Sequence, residues 1–201
     1  MADYPIAPVS NELRQEVKGM LDAKTKPLGS LGQIEKLAMN MALSQNTNRP
    51  AAQTTLLLCA GDHGLVEEGV SAWPSEVTAQ MVQNFLGGGA AANVFARAAD
   101  ADIRIIDAGV ASPLPDDGRL LRAGIRAGTR NALKEDALTV EEVEAALAFG
   151  GKCAADAVAD GANVIALGEM GIGNTSSAAL LANVVTGASM EDLVGAGAGL
   201  D

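Results

Sequence analysis

Eleven residues in the C-terminal part of the sequence combine a glycine-rich turn with groups that could bind an anion. The segment LGEMGIGNTSS, residues 167–177, closes an apolar run and opens a helical pattern. Gly168, Gly171 and Gly173 remove side chains where main-chain N–H groups must turn inward. Free N–H groups at a helix start can hold a phosphate without a lysine, so this segment is a candidate phosphate or nucleotide site. Its G-x-x-G-x-G spacing matches neither dinucleotide-binding folds nor P-loops, and a purely structural turn is the alternative.

Polar side chains extend this candidate site. Asn174, Thr175 and Ser176 supply amide and hydroxyl groups at the predicted helix start. Glu169 would be repelled by a phosphate, so we expect it to face a ring nitrogen or sugar hydroxyls of the ligand. A surface glutamate or a partner of the helix dipole is the alternative for Glu169. We include the adjacent Met170 among the substrate-binding candidates.

A second candidate group follows the first apolar run of the sequence. In AGDHG, residues 60–64, Asp62 and the single histidine, His63, come directly after a predicted strand. His63 could act as a general acid or base, although a hydrogen-bonded loop histidine is more common. Asp62 could simply cap the turn. Both residues, with Gly64, are substrate-binding candidates.

A third candidate group lies in GVSAWPSEVTAQM, residues 69–81. Gln80 could offer an amide to a ligand nitrogen, and Trp73 could form a flat apolar wall. Core packing is the alternative for Trp73 and Met81, and we favour it for Met81.

The elements that would position these residues alternate between strands and helices. Apolar runs and helical periodicity predict strands at 54–60, 101–110 and 162–171 and helices at 75–89, 90–100, 139–158 and 174–187. This order requires right-handed parallel crossovers, so we expect an α/β fold, a three-layer, doubly wound, mostly parallel sheet. Ligands of such sheets bind beyond the carboxyl ends of the strands, where the first two candidate groups lie.

Two amphipathic helices precede the first strand. The first opens at Ser10, and the second opens at Ser30, where Gln33 completes a predicted capping box. We therefore expect a small helical element at 1–48, followed by an α/β nucleotide-binding domain at 49–201.

The composition excludes several classes of function. The sequence has 14 basic and 25 acidic residues, a net charge of −11 and no basic stripe that could neutralise a nucleic-acid backbone. Its first residues lack the basic start and the apolar stretch that are typical of a secretory leader, and no apolar run approaches the ~20 residues needed to cross a bilayer. Cys59 and Cys153 lack metal-ligand or redox spacing and are typical of buried thiols in a reducing compartment. We expect a cytoplasmic protein without metal or cofactor that binds neither nucleic acid nor membrane.

The sequence ends in a second glycine-rich stretch, GAGAGLD, residues 195–201. Such a stretch normally begins a functional loop, so we expect the α/β domain to be truncated after Asp201. A truncated domain would expose apolar surface and would tend to self-associate.

The sequence resembles the nicotinate-nucleotide–dimethylbenzimidazole phosphoribosyltransferases, which make the lower nucleotide of cobalamin. The matching stretches cover most of the chain; they are TKPLGSLGQIEKLA, CAGDHGLVEEGVSAWPSEVTAQMVQNFLGGGAAANVFAR, DAGV and LGEMGIGNTSSAALL. The resemblance implies transfer of phosphoribose from nicotinate mononucleotide to a nitrogen of 5,6-dimethylbenzimidazole. The products would be α-ribazole 5′-phosphate and nicotinate, with inversion at the anomeric carbon. It also implies a doubly wound large domain, a small domain that contains the N-terminal helices, and a homodimer.

The resemblance also assigns roles to the candidate residues. The phosphate would rest on the N–H groups of residues 171–176, Glu169 would face the base or ribose, and Gln80 would border an apolar slot for the benzimidazole. Members of the family are considerably longer, and the glutamate regarded as their catalytic base lies beyond the position of Asp201. Glu169 is therefore the candidate base within this chain.

Two other functions are compatible with parts of the sequence. A paralogue could ribosylate another aromatic acceptor, and a non-catalytic subunit could bind a nucleotide. A nicotinamide-dependent oxidoreductase conflicts with the glycine spacing and with the absence of an acidic residue about 20 positions beyond a dinucleotide fingerprint.

Overall fold

A computed structural model of the protein describes residues 8–198. The chain divides between Gln53 and Thr54 into two compact units. The glycine-rich stretch at residues 195–201 is described only as far as Ala198. Residues 199–201 lie outside the described part of the chain.

The first unit contains two helices that pack against each other, α1 (Arg14–Asp22) and α2 (Gln33–Ser44). The capping box predicted at Ser30 and Gln33 is wrong. Gly32 is the residue that precedes α2, and its φ of 55° lies in the left-handed region that favours glycine. The Leu31 N–H donates instead to Glu35 Oε1 at 3.1 Å, so a side chain from within the helix reaches back to its start.

The second unit alternates strands and helices around a four-stranded parallel sheet. Its elements are β1 (Thr54–Gly61), a 3₁₀ helix (Gly64–Glu68), α3 (Glu76–Gly87), α4 (Ala91–Ala98), β2 (Asp102–Gly109), β3 (Leu120–Arg122), α5 (Val140–Ala159), β4 (Val164–Met170), α6 (Asn174–Thr186) and α7 (Met190–Leu193). The strand order is β3-β2-β1-β4, and every neighbouring pair is parallel.

Helices cover both faces of this sheet. Leu58 and Ala60 of β1 pack against α3 on one face, whereas Leu57 packs against α5 residues Cys153 and Ala157 on the other. A strand that is covered on two sides is apolar at successive positions, as the β1 sequence is. The predicted three-layer, doubly wound, parallel fold is confirmed.

The short strand β3 was missing from the sequence-based prediction. Leu120 and Leu121 pair with Ile105 and Ile106 of β2. Three residues are too few to produce a recognisable apolar run, and this pairing is set by the neighbouring strand rather than by local sequence.

The predicted start of α5 is confirmed. The Glu142 N–H donates to Thr139 Oγ1 at 3.2 Å, and the Thr139 N–H donates to Glu142 Oε2 at 2.8 Å. Hydrogen bonds from the Arg130 guanidinium to the same carboxylate lower the pKa of Glu142 to about 2. The capping box therefore also anchors the loop that contains Arg130 to the helix.

Replacing Thr139 by alanine removes one half of this box. We expect Thr139→Ala to reduce the free energy of unfolding by about 1 kcal/mol, the usual cost of losing a helix cap. Urea denaturation followed by circular dichroism measures the change. Thr139→Ser keeps the hydroxyl and serves as the control, which should lose much less stability.

The two cysteines are free thiols in this fold. Cys153 is buried, and Cys59 is only half-buried. Desolvation raises the pKa of both thiols, so both are protonated at neutral pH.

Among the described residues, no helix has both the length and the apolar character needed to cross a membrane.

Candidate active site

The strand order brings two of the candidate segments together. From β1 the chain passes to β2 on one side, and from β3 it returns to β4 on the other side of β1. The carboxyl ends of β1 and β4 therefore form a topological switch point, where open α/β sheets bind ligands. Ala60 pairs with Met170 at this edge, so Asp62 and His63 follow one strand where Gly171 follows the other.

His63 lies between the two strand ends. Its Nδ1 atom is 2.9 Å from Ser177 Oγ on the first turn of α6. Burial lowers the pKa of His63, and the neighbouring carboxylates of Glu169 and Asp62 oppose this effect only in part. The imidazole is therefore neutral near pH 7, and it is held by a hydrogen bond. Ser177 was not among the predicted site residues, although it belongs to the same segment.

The glycines of the turn allow a close approach to His63. A Cβ atom on Gly171 would collide with the carbonyl oxygen of Gly61 and would lie 3.2 Å from the imidazole ring of His63. Gly173 has a φ of +83°, and a Cβ there would lie 2.6 Å from Val66 Cγ2. The glycines are therefore required by packing, whether or not an anion binds.

Several main-chain N–H groups of the turn already have acceptors within the protein. The Ile172 N–H donates to Thr78 Oγ1 at 3.1 Å, and the Asn174 and Ser176 N–H groups donate to carbonyl oxygens of the same turn. Within residues 8–198, no acceptor is present for the N–H groups of Gly173 and Thr175. Only some of the N–H groups that were predicted to bind a phosphate, those of residues 171–176, are thus available to one. Thr78, which is fully buried on α3, was not predicted to contribute.

Glu169 and Asn174 form a pair that the sequence-based prediction did not include. Glu169 lies within β4, opposite Cys59. Both of its carboxylate oxygens are 2.7 Å from Asn174 Nδ2. The amide of Asn174 is therefore used to orient an exposed carboxylate at the start of α6. Gly168 and Met170 also lie in β4, and Met170 packs against the core.

Asp62 and Gly64 are occupied by contacts within the protein. Asp62 is 4% exposed, and its Oδ2 accepts the Ala111 N–H at 2.8 Å. Its Oδ1 has no hydrogen-bond partner among the described residues. The Gly64 N–H donates to Thr129 Oγ1 at 3.1 Å. These contacts tie the end of β1 to the loops that follow β2 and β3.

The α3 candidates differ in their surroundings. Gln80 is exposed, and Trp73 is 54% exposed. Met81 packs against the core, as we favoured. The bond from Ile172 to Thr78 brings the first turns of α3, which carry Gln80, to the glycine turn.

A cavity of about 550 Å³ adjoins the start of α6. Thr175 and Ser176 line one side of it, and the segment from Leu193 to Gly197 lines the other. In the described part of the chain, no group of three or more His, Cys, Asp and Glu side chains could hold a metal ion. The arrangement combines a helix start beside a cavity, a neutral imidazole and an exposed carboxylate at one sheet edge.

Comparison with known proteins identifies the family. A family model described as Phosphoribosyltransferase matches residues 6–201. The chain belongs to this phosphoribosyltransferase family. A relative from Cupriavidus necator, named nicotinate-nucleotide–dimethylbenzimidazole phosphoribosyltransferase, is 48% identical over 98% of this chain and 57% of its own length. A relative of the same name from Shewanella piezotolerans is 43% identical over 98% of this chain and 58% of its own length.

A solved structure of the family has the same fold as this phosphoribosyltransferase chain. The crystal structure described as CobT from Thermus thermophilus superposes with a TM-score of 0.90 at 44% sequence identity. The match covers 94% of this chain and 57% of the crystallised chain. The phosphoribosyltransferase chain therefore spans somewhat more than half the length of the relatives that it matches.

Proposed function

We propose that this phosphoribosyltransferase transfers phosphoribose from nicotinate mononucleotide to 5,6-dimethylbenzimidazole. The products are α-ribazole 5′-phosphate and nicotinate. The observation that carries the proposal is the cavity beside the start of α6, which is lined by Thr175, a residue whose N–H group has no acceptor among the described residues. The names of relatives with 43–48% identity support the choice of substrates.

The start of α6 would bind the phosphate of the nucleotide. Free N–H groups and the helix dipole favour an anion there, and the Thr175 and Ser176 side chains line the adjoining cavity. This arrangement needs no lysine, which suits a chain with a net charge of −11. We retain Gln80 as a candidate contact of the aromatic acceptor, because it lies exposed on the helix that carries Thr78.

Glu169 would act on the acceptor. A new bond forms between an acceptor nitrogen and the anomeric carbon of the ribose, while the bond from that carbon to the nicotinate ring nitrogen breaks. The acceptor must lose its N–H proton, which a carboxylate can take. The departing nicotinate needs no acid, because departure neutralises its pyridinium nitrogen. Asn174 would hold the Glu169 carboxylate in a fixed orientation.

A turnover assay on the 201-residue chain tests this function. Nicotinate mononucleotide and dimethylbenzimidazole are incubated with the chain, and α-ribazole phosphate is measured by chromatography beside a calorimetric titration of the nucleotide. Product above background supports the proposed reaction. Nucleotide binding without product supports the alternative of a non-catalytic nucleotide-binding subunit, and the absence of both contradicts the proposal.

We also propose that the protein forms a homodimer in the cytoplasm. The two free thiols support a reducing compartment. Apolar side chains on α6 support association with another polypeptide surface, since Leu181, Val184 and Val185 are 67%, 82% and 83% exposed.

A charged residue on this apolar surface should reduce self-association. We expect Val184→Lys to shift the chain toward monomer, because removing a charged lysine side chain from water into an apolar interface costs free energy and so opposes association. Light scattering after gel filtration measures the mass. Val158→Lys on α5, where the valine is 58% exposed, is the matched control. Equal masses for the wild type and both variants would contradict a role for the α6 surface.

A further inference from the structure

The loop that follows β3 lies directly against the end of β1. The Thr129 N–H donates to the Asp62 carbonyl oxygen at 2.9 Å, and Thr129 Oγ1 accepts the Gly64 N–H at 3.1 Å. A Cβ on Gly64 would lie 2.6–2.7 Å from main-chain atoms of residues 129–131. This approach is too close for any other residue at position 64, so the loop and the end of β1 form one packed unit.

Asn131 extends this contact to the 3₁₀ helix. Its side chain is buried, at 7% exposure. Asn131 Nδ2 donates to Glu68 Oε1 at 2.6 Å and to Glu67 Oε2 at 3.3 Å, and Asn131 Oδ1 accepts the Leu133 N–H at 3.0 Å. The ammonium of Lys134 lies 3.1 Å from the same two glutamate oxygens. A neutral amide and one cation therefore hold two adjacent carboxylates together.

The 3₁₀ helix transmits this contact to the candidate active site. Its first hydrogen bond runs from the Val66 N–H to the His63 carbonyl oxygen at 3.1 Å. Val66 supplies the methyl group that lies against Gly173, and the ring of His63 lies against Gly171 and bonds to Ser177. A movement of the 3₁₀ helix would therefore displace both the imidazole and the glycine turn.

We propose that Asn131 is a positioning residue that fixes His63 and the Gly171–Gly173 turn through the 3₁₀ helix. Among the described residues, the hydrogen bonds of the Asn131 side chain go to Glu67, Glu68 and Leu133 and not to the turn, so Asn131 acts through Glu67 and Glu68. Its relevance to catalysis rests on the proposed phosphoribosyl transfer, whereas its effect on His63 is a property of the folded chain alone.

Asn131→Asp tests this role with a nearly isosteric change. The variant keeps an acceptor for the Leu133 N–H but replaces the donor toward Glu67 and Glu68 with a third carboxylate. We expect the 3₁₀ helix to move away and His63 to gain solvent. The pKa of His63 should then rise toward its ordinary value of 6.5, since burial is what lowers it.

The single histidine of the chain makes this effect directly measurable. Titration of the His63 ring signals by NMR reports its pKa in the absence of any substrate. The charged groups that act on the ring in the wild type are the carboxylates of Asp62 and Glu169, and the substitution leaves both in place while it adds one carboxylate at position 131. Because the titration needs no substrate, its result can be interpreted even if the chain does not turn over substrate.

Two further variants make the test specific. In Asn131→Asp combined with Glu68→Gln, the new amide can donate to the new carboxylate, and we expect the wild-type pKa of His63 to return. Asn48→Asp is the matched control, because Asn48 Nδ2 donates to Glu16 Oε1 at 2.6 Å in the first unit. It should leave the His63 signals unchanged.

The outcomes separate the positioning role from a general loss of stability. If Asn131→Asp does not fold, Lys134→Met removes the cation from the same cluster at a residue that is 59% exposed, and the His63 pKa should rise in that variant. Where the chain binds nicotinate mononucleotide, we expect Asn131→Asp to weaken the affinity about tenfold, because the glycine turn is misplaced. A folded variant with unchanged His63 signals and unchanged pKa would overturn the proposal.

Discussion

Replacing Glu169 by glutamine should lower the rate of α-ribazole phosphate formation by about a hundredfold or more, the usual contribution of a general base. Glutamine has nearly the shape of glutamate, and its carbonyl oxygen can still accept from Asn174 Nδ2, which now bonds to both carboxylate oxygens. The variant should therefore fold normally while losing the group that accepts the proton. Steady-state kinetics with both substrates measure the effect.

Three further measurements test this prediction. Glu144→Gln changes another exposed glutamate, on α5, and should leave the rate unchanged. The pKa of His63 should fall further in Glu169→Gln, because the Glu169 carboxylate raises it in the wild type. If the chain binds substrates without turnover, the affinity for dimethylbenzimidazole becomes the deciding quantity. Unchanged turnover together with unchanged affinities would mean that Glu169 is only a surface residue.

Several features that depend on neighbouring positions were predictable from the sequence, although the pattern at Ser30 and Gln33 does not form the predicted capping box. The capping box of Thr139 and Glu142 joins residues three positions apart, and its geometry is as predicted. The apolar character of β1 at successive positions revealed a strand that is buried on both faces, and this implied helices on both sides of the sheet. The candidate segments were found for the same reason, since parallel strands direct their carboxyl ends to one edge.

Contacts between distant positions were not predictable in the same way. Thr78 and Ile172 are 94 residues apart, and Asn131 and Glu68 are 63 apart. Nothing in the local sequence distinguishes Thr78 from the other polar residues on its helix. Their partners depend on which loops the strand order brings together, and a short strand such as β3 contributes to that order without a sequence signal of its own.

The sequence predicts which polar residues follow the strand ends, but it does not predict which groups those residues contact. Asn174 is predicted to contact substrate, and its side-chain amide donates to the Glu169 carboxylate in this fold. Asp62 is predicted either to bind substrate or to cap the turn, and its buried Oδ2 accepts the N–H of Ala111, 49 residues further along the chain. Short polar side chains near chain reversals often satisfy main-chain or neighbouring groups, so their presence near a strand end does not reveal which group they face.

Gly171→Ala should be the most destabilising single-methyl change in the glycine turn. Its Cβ would meet the main-chain oxygen of Gly61, which cannot move without disturbing β1, and it would also press on the ring of His63. Overpacking against rigid groups reduces the free energy of unfolding by about 2–3 kcal/mol. At Gly171 the rigid groups lie at the ends of the two strands that form the site, β1 and β4. Urea denaturation should show the transition of Gly171→Ala at a lower midpoint with an unchanged slope.

Two other glycine substitutions show whether packing is the cause. At Gly168 a Cβ would lie 3.3 Å from the end of the flexible Leu56 side chain, so Gly168→Ala should cost much less. At Gly150 in α5 a Cβ would meet nothing within 4 Å, and alanine should raise the free energy of unfolding by about 0.5–1 kcal/mol. If Gly171→Ala were as stable as the wild type, the close packing of the turn on β1 would be wrong, and only a ligand could then explain a glycine at this position.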